Sequence, residues 1–247
     1  MFRVVIPARH ASARLPGKPL LMLAGKPMLQ WVHESARRSR AASIVIATDD
    51  DRIAGAARAF GADVAMTAAA HTSGTDRIAE VADTRAWAAE DVVVNLQGDE
   101  PLMPHELVDQ VASLLLDHAG DDMATLAGPL TDAAAFRDPN VVKLVTDRNG
   151  RALYFSRAPI PCQRDDNDHG ESTRGARRHI GLYAYRVRAL RTLAALRASP
   201  LEQLEKLEQL RALENGLAIR VAEAAVAPGQ DVNTAADLAR AAEALGA

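Results

Sequence analysis

A basic loop near the amino terminus holds the residue types best suited to chemistry. Residues 7–19, PARHASARLPGKP, place three cations in one short segment: Arg9, Arg14 and Lys18. Proline and glycine keep this backbone out of a regular helix, so its side chains and amides are able to surround a polyanion such as a triphosphate. A solvated basic loop explains the charges alone equally well, but the proline and glycine positions favour a shaped site. The segment has neither the GxxxxGK[ST] pattern of a P-loop nor the GxGxxG pattern of a dinucleotide-binding turn.

A carboxylate follows a strongly apolar segment further along the chain. The segment 91–96, DVVVNL, is followed by Gln97, Gly98, Asp99, Glu100 and Pro101. A carboxylate at the carboxyl end of a buried strand is well placed to hold Mg²⁺, which prefers oxygen ligands and often binds substrate phosphates as well. An ordinary turn with a helix cap is the alternative. The basic loop at 7–19 makes the metal site the favoured interpretation.

Polar residues also precede the last predicted helix. The order is Asp231, Val232, Asn233 and Thr234. Capping of the helix by Asn233 or Thr234 is sufficient to explain the pattern. Asp231 would in addition supply a second metal ligand. If Val232 is extended, Asp231 and Asn233 point to the same side of the chain.

The segment 200–213, PLEQLEKLEQLRAL, is predicted to be the strongest helix of the chain. Its leucines recur every third residue, a step that winds around a helix of 3.6 residues per turn, so we expect them to contact more than one neighbouring element. Glu208 falls at the edge of the apolar arc, next to Gln209. It either pairs with Arg211 on the same helix face or faces a ligand, and the sequence leaves both open.

Alternating strand-like and helix-like segments predict how these residues are positioned. The strand-like segments are 2–6, 43–48 and 91–96, and the helical segments between them are 28–35, 51–60 and 75–86. The first set is apolar and rich in β-branched residues, which is typical of strands buried on both faces of a parallel sheet. This order predicts an open, doubly wound α/β sheet, in which ligands bind beyond the carboxyl ends of the strands. The loops 7–19, 47–51 and 97–101 should lie at that edge.

The second half of the chain is less regular. Segments 141–145, 152–155 and 180–185 are predicted strands, some of them antiparallel, and 235–245 is a final helix. Residues 164–178 contain one alanine and no other apolar side chain. We therefore expect a mobile surface loop there, one that becomes ordered over a ligand.

Composition excludes several classes of protein. The net charge is −3 with a pI of about 6.2, so a basic nucleic-acid binder is not expected. The single cysteine, Cys162, excludes an internal disulfide and a thiolate zinc cage. No apolar run approaches the roughly 18 residues of a membrane span, and no segment of signal-peptide type is apparent. We expect a cytoplasmic protein with neither a nucleic acid nor a membrane as its partner.

Several motifs follow one another along the chain: IPARxxSxRLPGKPL (6–20), GKPM (25–28), ATD (47–49), HxSGTDR (71–77), VNLQGDEP (94–101), ALYFSRAPIP (152–161), RHIGLYAYR (178–186), SPLEQLEKLEQLR (199–211) and DVNTAADL (231–238). Taken together, these motifs resemble those of the 3-deoxy-manno-octulosonate cytidylyltransferases, the CMP-KDO synthetases of Gram-negative bacteria. They cover essentially the whole chain in order. The first motif alone indicates only the wider nucleotidyltransferase superfamily, which includes the CMP-sialate synthetases, whereas the later motifs are much more specific.

The resemblance implies a fold and an assembly. The fold would be a Rossmann-like, GT-A-like nucleotidyltransferase sheet with a smaller mixed α/β dimerisation region, all in one domain spanning 1–247. Its parts would be a nucleotide-binding core at about 1–130, a sugar-binding and dimerisation region at about 131–215, and a return to the core at about 216–247. The protein would be a homodimer.

The resemblance also implies an activity and its residues. CMP would pass from CTP to 3-deoxy-D-manno-octulosonate (KDO), giving CMP-KDO and pyrophosphate for lipopolysaccharide synthesis, with Mg²⁺ as cofactor. The implied catalytic residues are Arg14, Lys18 and Asp99. The implied nucleotide contacts are Arg9, Arg14, Lys18, Ser73 and Gln97. The implied sugar contacts are Gln97, Arg157, His179, Tyr183, Glu208 and Gln209, with Arg157 or His179 as the partner of the sugar carboxylate. The implied metal ligands are Asp99, Asp231 and Asn233.

The chain departs from the family pattern at one position. The family usually has aspartate immediately before threonine as a second metal ligand, and here that position is Asn233. Either the neutral side-chain oxygen of Asn233 serves, or Asp231 has taken over. Two other functions stay open: a cytidylyltransferase for another sugar acid, such as sialic acid or a KDO analogue, and a non-catalytic nucleotide-binding protein.

Overall fold

The computed structural model describes residues 1–10, 15–71, 73–164 and 173–246. Arg14 and residues 165–172 of the expected loop at 164–178 lie outside this part of the chain. The described strands are β1 (Phe2–Ala8), β2 (Met22–Leu23), β3 (Lys26–Pro27), β4 (Ile44–Thr48), β5 (Asp63–Met66), β6 (Val92–Asn95), β7 (Met123–Pro129), β8 (Lys143–Thr146), β9 (Ala152–Ser156), β10 (Arg177–Arg186) and β11 (Ile219–Glu223). The described helices are α1 (Met28–Arg37), α2 (Asp51–Ala59), α3 (Gly74–Thr84), α4 (His105–Leu116), α5 (Ala133–Arg137), α6 (Val187–Ala195), α7 (Pro200–Glu205), α8 (Gln209–Glu214) and α9 (Ala235–Gly246), with a 3₁₀ turn at Lys18–Leu20.

Within the described residues, one mixed sheet of nine strands organises the chain. Seven strands run in the order β11-β7-β10-β6-β1-β4-β5, and the β8–β9 hairpin joins through β10. Neighbours among these seven strands are parallel except at β10, which is antiparallel to both β6 and β7. The carboxyl ends of β1, β4 and β6 therefore share one edge, as expected. The amino-terminal half of β10 reaches the same edge, because Tyr183 pairs with Asn95 in the last position of β6.

The sheet is buried on both faces, which explains its apolar strands. In β1, Val4 and Ile6 pack with residues of α1, α2 and α4, whereas Val5 packs with residues of α3 and α6. Successive residues of a strand point to opposite faces, so a strand between two helical layers must be apolar at every position. The predicted doubly wound α/β class is confirmed, and the predicted strands at 2–6, 43–48 and 91–96 correspond to β1, β4 and β6.

Two helix starts follow from capping chemistry. The side chain of Asp50 accepts hydrogen bonds from the amides of Arg52 and Ile53 at the start of α2. Ser73 and Asp76 form a reciprocal capping box at the start of α3. The capping box places Ser73 and the α3 amino terminus at the edge where β1 and β6 end.

The prediction of one continuous helix over 200–213 was wrong. α7 ends at Glu205 and α8 begins at Gln209. Between them Lys206 has φ +53°, a left-handed conformation that interrupts the helical path. As a result Leu204 is 79% exposed, whereas Leu207 and Leu210 are buried. The break also means that the position of Glu208 does not follow from its angle on a continuous helix.

Candidate active site

Two of the three expected loops meet at the carboxyl edge of the sheet. They enclose a cavity of about 200 Å³ between the end of β1 and the end of β6. Its lining residues are Pro7, Ala8, Arg9, Lys18, Pro19, Gln97, Gly98 and Asp99. The loop after β4 takes no part in this lining, since Asp49 pairs with the buried Arg77 at 3.3 Å and Asp50 caps α2.

A glycine lets these two loops approach closely. A Cβ atom at Gly98 would lie 3.0 Å from the carbonyl oxygen of Pro7, a tighter distance than side chains usually tolerate. On the other loop, Gly17 adopts φ +67° immediately before the 3₁₀ turn that carries Lys18. The backbone therefore directs Lys18 towards the β6 loop, where it is only 8% exposed.

Lys18 is the centre of the polar contacts in this cavity. Its ammonium donates to Asp99 Oδ2 at 2.6 Å and to Asn233 Oδ1 at 3.2 Å. The backbone adds a further link, because the amide of Val232 donates to the carbonyl oxygen of Asp99 at 3.1 Å. The loop before α9 is thus joined to the edge of the sheet, and oxygens from two distant segments converge on one positive charge.

Two further carboxylates crowd this position. Burial raises the pKa of Asp231, and the charge of Asp99 raises it further. Burial also raises the pKa of Glu100 well above its usual value, with Asp231 and Asp99 adding to the effect. Glu100 Oε2 is buried, and within the described residues it has no hydrogen-bond partner. Such a site gains free energy from a bound cation, because the cation offsets the mutual repulsion of the carboxylates.

The donor set fits a hard divalent cation bound together with a substrate. Carboxylate and amide oxygens are the ligands that Mg²⁺ prefers. Over the described ranges, no group of three or more His, Cys, Asp or Glu side chains is arranged as a self-sufficient metal cage.

A second cavity, of about 140 Å³, lies next to the first and holds most of the predicted sugar contacts. Gln97 lines both cavities. The other residues of the second lining are Gly74, Thr75, Asn95, Met123, Gly181, Tyr183, Tyr185, Leu193, Glu208 and Gln209. Tyr183 Oη and Gln209 Nε2 are buried there without a partner among the described residues. Buried donors of this kind cost free energy unless a ligand or water accepts from them.

His179 lines a third cavity, of about 190 Å³, together with Glu100, Arg178 and Asp231. Its Nε2 lies 3.2 Å from the hydroxyl of Thr125, and its ring meets the ring of Phe155 edge to face. Burial lowers the pKa of His179 to about 3. The imidazole is therefore neutral at physiological pH and does not supply the positive charge expected for a sugar carboxylate. Arg178 is the cation that the structure places in this cavity.

Arg157 lies outside the linings of these three cavities. Its guanidinium donates to the backbone carbonyl oxygens of Glu205 at 2.6 Å and Pro139 at 2.8 Å. Its amide donates to the carboxylate of Glu205 at 2.9 Å. The structure thus uses Arg157 to tie the end of β9 to α7, and its predicted contact with a sugar is not part of this arrangement.

Ser73, a predicted nucleotide contact, lines a larger groove beside α3, which Glu208 also lines.

Sequence reasoning missed several residues of these cavities. Thr75, Asn95 and Tyr185 were not singled out, although a buried asparagine at the end of an apolar strand and a threonine after a helix cap are detectable signals. In the sequence, Arg178 and Glu100 are distinguished only by their position next to the predicted site residues His179 and Asp99.

Comparisons with known proteins agree with this geometry. A family model described as Cytidylyltransferase matches residues 3–219. The chain is 53% identical over 242 residues to a 3-deoxy-manno-octulosonate cytidylyltransferase of Thioalkalivibrio sulfidiphilus, covering 97% of this chain and 96% of the relative. A protein of the same name from Pseudomonas syringae pv. tomato is 53% identical over 243 residues, with the same coverage.

Solved structures give the same result. One described as CMP:2-keto-3-deoxy-manno-octonic acid synthetase complexed with CTP matches with a TM-score of 0.90 at 40% identity, covering 98% of this chain and 97% of that one. A cytidylyltransferase from Leptospira borgpetersenii matches with a TM-score of 0.57 at 18% identity, covering 94% of this chain and 78% of the other, and supports the fold alone. Within the described residues, the helices are all too short or too polar to cross a membrane.

Proposed function

This chain belongs to the 3-deoxy-manno-octulosonate cytidylyltransferase family, and from that premise we propose that it transfers CMP from CTP to KDO, releasing pyrophosphate. The single observation that carries the proposal is the meeting of Lys18, Asp99 and Gln97 at the mouth between β1 and β6. The basic loop at 7–19 and the loop at 97–101 thereby face one cavity, where they would bind the phosphates and the metal ion. Gln97 also lines the second cavity, which we call the sugar-side cavity.

In the proposed reaction, the anomeric hydroxyl oxygen of KDO attacks the α-phosphorus of CTP. The new bond joins that oxygen to phosphorus, the bond from the α-phosphorus to the bridging oxygen breaks, and the hydroxyl proton passes to solvent. Negative charge grows on the departing pyrophosphate, and fixed cations stabilise it. Arg9, Arg14 and Lys18 would bind the triphosphate, while Ser73 and Gln97 contact the nucleoside.

Mg²⁺ would be held by Asp99 together with Asp231 and Asn233. When bound, it would neutralise phosphate charge and polarise the attacking hydroxyl. The support is the set of oxygens around Asp99 and the raised pKa of Asp231, which a cation would lower. Lys18 donates to both Asp99 and Asn233 and keeps these oxygens directed into the cavity.

The sugar would occupy the second cavity, where Tyr183, Glu208 and Gln209 offer buried polar groups to its hydroxyls. Holding the hydroxyl in line with the α-phosphorus is itself worth several kcal/mol. His179, as a neutral imidazole, would take part through hydrogen bonds, and Arg157 would have to leave its backbone partners to reach a carboxylate.

The cellular setting is part of the proposal. An enzyme that consumes CTP and makes an activated sugar acid for lipopolysaccharide synthesis works where CTP is made, in the cytoplasm. A homodimer is supported by two exposed leucines in the region 131–215, Leu153 and Leu204, which are 61% and 79% exposed. A contiguous exposed apolar patch marks a protein–protein interaction site, and these two leucines are the residues at which such a patch is tested.

A coupled pyrophosphate-release assay tests the activity. With CTP and Mg²⁺, we expect turnover with KDO and much slower turnover with sialic acid. Faster turnover with sialic acid or a KDO analogue would favour the alternative cytidylyltransferase. CTP binding without pyrophosphate release from any sugar acid would favour a non-catalytic nucleotide-binding protein.

A further inference from the structure

Three buried polar residues form the inner wall of the sugar-side cavity. Thr75 lies on α3, Asn95 at the end of β6 and Tyr185 on β10, and each side chain is about 4% exposed. All three line the cavity that Gln97 and Glu208 also line. Burial of polar groups costs free energy unless they are hydrogen-bonded, so their partners matter.

At one end of this wall, Thr75 holds Glu208. The hydroxyl of Thr75 donates to Glu208 Oε1. A hydroxyl has one proton, so this contact commits the Thr75 donor to the carboxylate. The other oxygen, Glu208 Oε2, lies 3.7 Å from the guanidinium of Arg211. Glu208 is thus oriented by a neutral donor from α3 and by a cation from α8, the helix that it precedes.

At the other end, Asn95 holds Gln97. Gln97 Nε2 donates to Asn95 Oδ1 at 3.3 Å. This contact uses one of the two amino protons of Gln97 and fixes the direction of its amide, so that the second proton and the carbonyl oxygen remain for a ligand. The asparagine amide is in turn left free to donate further into the wall.

Tyr185 joins the two ends. Its phenol lines the same cavity as the side chains of Thr75 and Asn95, and both of these side chains lower its pKa. Burial raises the pKa of the Tyr185 phenol, so it keeps its proton and remains a donor. Its ring stacks at a tilt on Tyr183, 5.8 Å between centroids, which fixes the position of the hydroxyl.

We propose that Thr75, Tyr185 and Asn95 are positioning residues for the transfer reaction, which hold Glu208 on the sugar side and Gln97 on the nucleotide side in one fixed arrangement. This inference rests on the proposed function. Its physical basis is that sugar hydroxyls need acceptors in a defined orientation, and small misplacements of a bound reactant cost large factors in rate.

The protonation of Glu208 provides a specific readout. Burial raises the pKa of Glu208, and the charges of Asp76 and Glu202 raise it further. The hydrogen bond from Thr75 and the charge of Arg211 lower it. Loss of the Thr75 hydroxyl therefore raises the pKa of Glu208, so that the carboxylate is lost as an acceptor at a higher pH than in the wild type.

The test compares Thr75→Val, Thr75→Ser and Thr192→Val. Thr192 is the matched control, because its hydroxyl donates to a backbone carbonyl oxygen within α6. For Thr75→Val we expect the KM for KDO to rise about tenfold, the size typical of losing a hydrogen bond to a charged group. The KM for CTP should change much less, and the acidic limb of the kcat/KM profile should move to higher pH. Thr75→Ser should behave like the wild type, and Tyr185→Phe should shift the same two quantities in the same direction.

Two results would overturn the inference. One is a Thr75→Val enzyme with an unchanged acidic limb and an unchanged KM for KDO. The other is an equal rise of both KM values with a lower melting temperature and no pH shift, which is what a merely structural role gives. If the wild-type chain releases no pyrophosphate with CTP and any sugar acid, the proposed function itself fails. An active wild type with an unshifted Thr75→Val variant contradicts the positioning role alone.

Discussion

Lys18 carries the most specific expectation among the single residues. It is nearly buried and donates to Asp99, on a loop that also presents Arg9 to the cavity. A cation that stabilises a departing pyrophosphate acts mainly in the transition state, so Lys18→Ala should lower kcat/KM by on the order of 10²-fold or more. Lys26→Ala is the matched control, since Lys26 pairs with Glu34 and is half-exposed. Unchanged kcat/KM in Lys18→Ala, measured by pyrophosphate release, would remove the assignment.

The oxygens around Asp99 lead to an ordered prediction. Asp99→Ala should abolish turnover, because this carboxylate is the proposed metal ligand that Lys18 also contacts. Asp231→Ala should lower kcat/KM more than Asn233→Ala, because the negative charge resides at Asp231 and a divalent cation gains more from charge than from a neutral oxygen.

Manganese binding to the protein without nucleotide gives a second measurement. Asn233→Asp should tighten this binding, because it adds a carboxylate where the neutral oxygen now meets Lys18. An inactive Asn233→Ala beside a normal Asp231→Ala would show that position 233 keeps the metal role despite its lost charge.

The charged residues Lys18 and Asp99 were predictable from the sequence, whereas the uncharged residues on the inner wall of the sugar-side cavity were not. Lys18 and Asp99 stand out because each follows an apolar strand and carries a charge in a loop shaped by proline or glycine. Thr75, Asn95 and Tyr185 carry no charge, and all three lie inside regular elements. A polar residue at such a position is a signal, but nothing in the spacing of these residues shows that they line one cavity. Their role depends on contacts between α3, β6, β10 and α8, and a linear pattern does not contain these contacts.

At the scale of elements, two of the strands that sequence reasoning missed, β7 and β11, have a common physical feature. β1, β4 and β6 were predictable because they are short, branched and apolar between two helical layers. β7 and β11, Met123–Pro129 and Ile219–Glu223, instead mix small or charged residues with apolar ones. They are strands because β7 pairs with both β10 and β11, which are far from it in the chain. Pairing of that kind overrides local propensity.

The break between α7 and α8 gives a prediction about stability. Lys206 adopts a left-handed conformation that costs a side chain about 1–2 kcal/mol and costs glycine almost nothing. Replacing Lys206 by glycine removes this cost, but the greater freedom of glycine in the unfolded chain offsets part of the gain. Lys206→Gly should therefore raise the free energy of unfolding by about 0.5–1 kcal/mol. Arg58→Gly, at an exposed position in α2, is the control and should lower it by about 1 kcal/mol. Urea denaturation measures both, and a destabilised Lys206→Gly would contradict the conformational argument.

At the scale of the whole molecule, the site depends on segments that are far apart in the chain. In the proposed site, the loops after β1 and β6 would bind the phosphates, and α8 and β10 would bind the sugar. The loop before α9 returns to contact Lys18. Val232 and Ala241 pack with Leu23 and Met28, which anchors α9 beside the first loop. The last part of the chain therefore belongs to the proposed active site as well as to the core.

The arrangement of the exposed apolar residues leads to a prediction of assembly. Leu153 on β9 and Leu204 on α7 lie on adjacent elements, because Ser156 and Arg157 donate to Glu205 at the end of α7. Burial of two leucines in a partner contributes about 1.5–3 kcal/mol each, and a glutamate in their place would have to be buried with its charge. We expect Leu204→Glu to convert the proposed homodimer to a monomer, as measured by light scattering after size-exclusion chromatography at micromolar protein. Leu116→Glu is the control, because Leu116 is 38% exposed on α4, outside the region 131–215. A wild-type chain that is monomeric at these concentrations, or a Leu204→Glu variant that remains dimeric, would show that this face is not the interface.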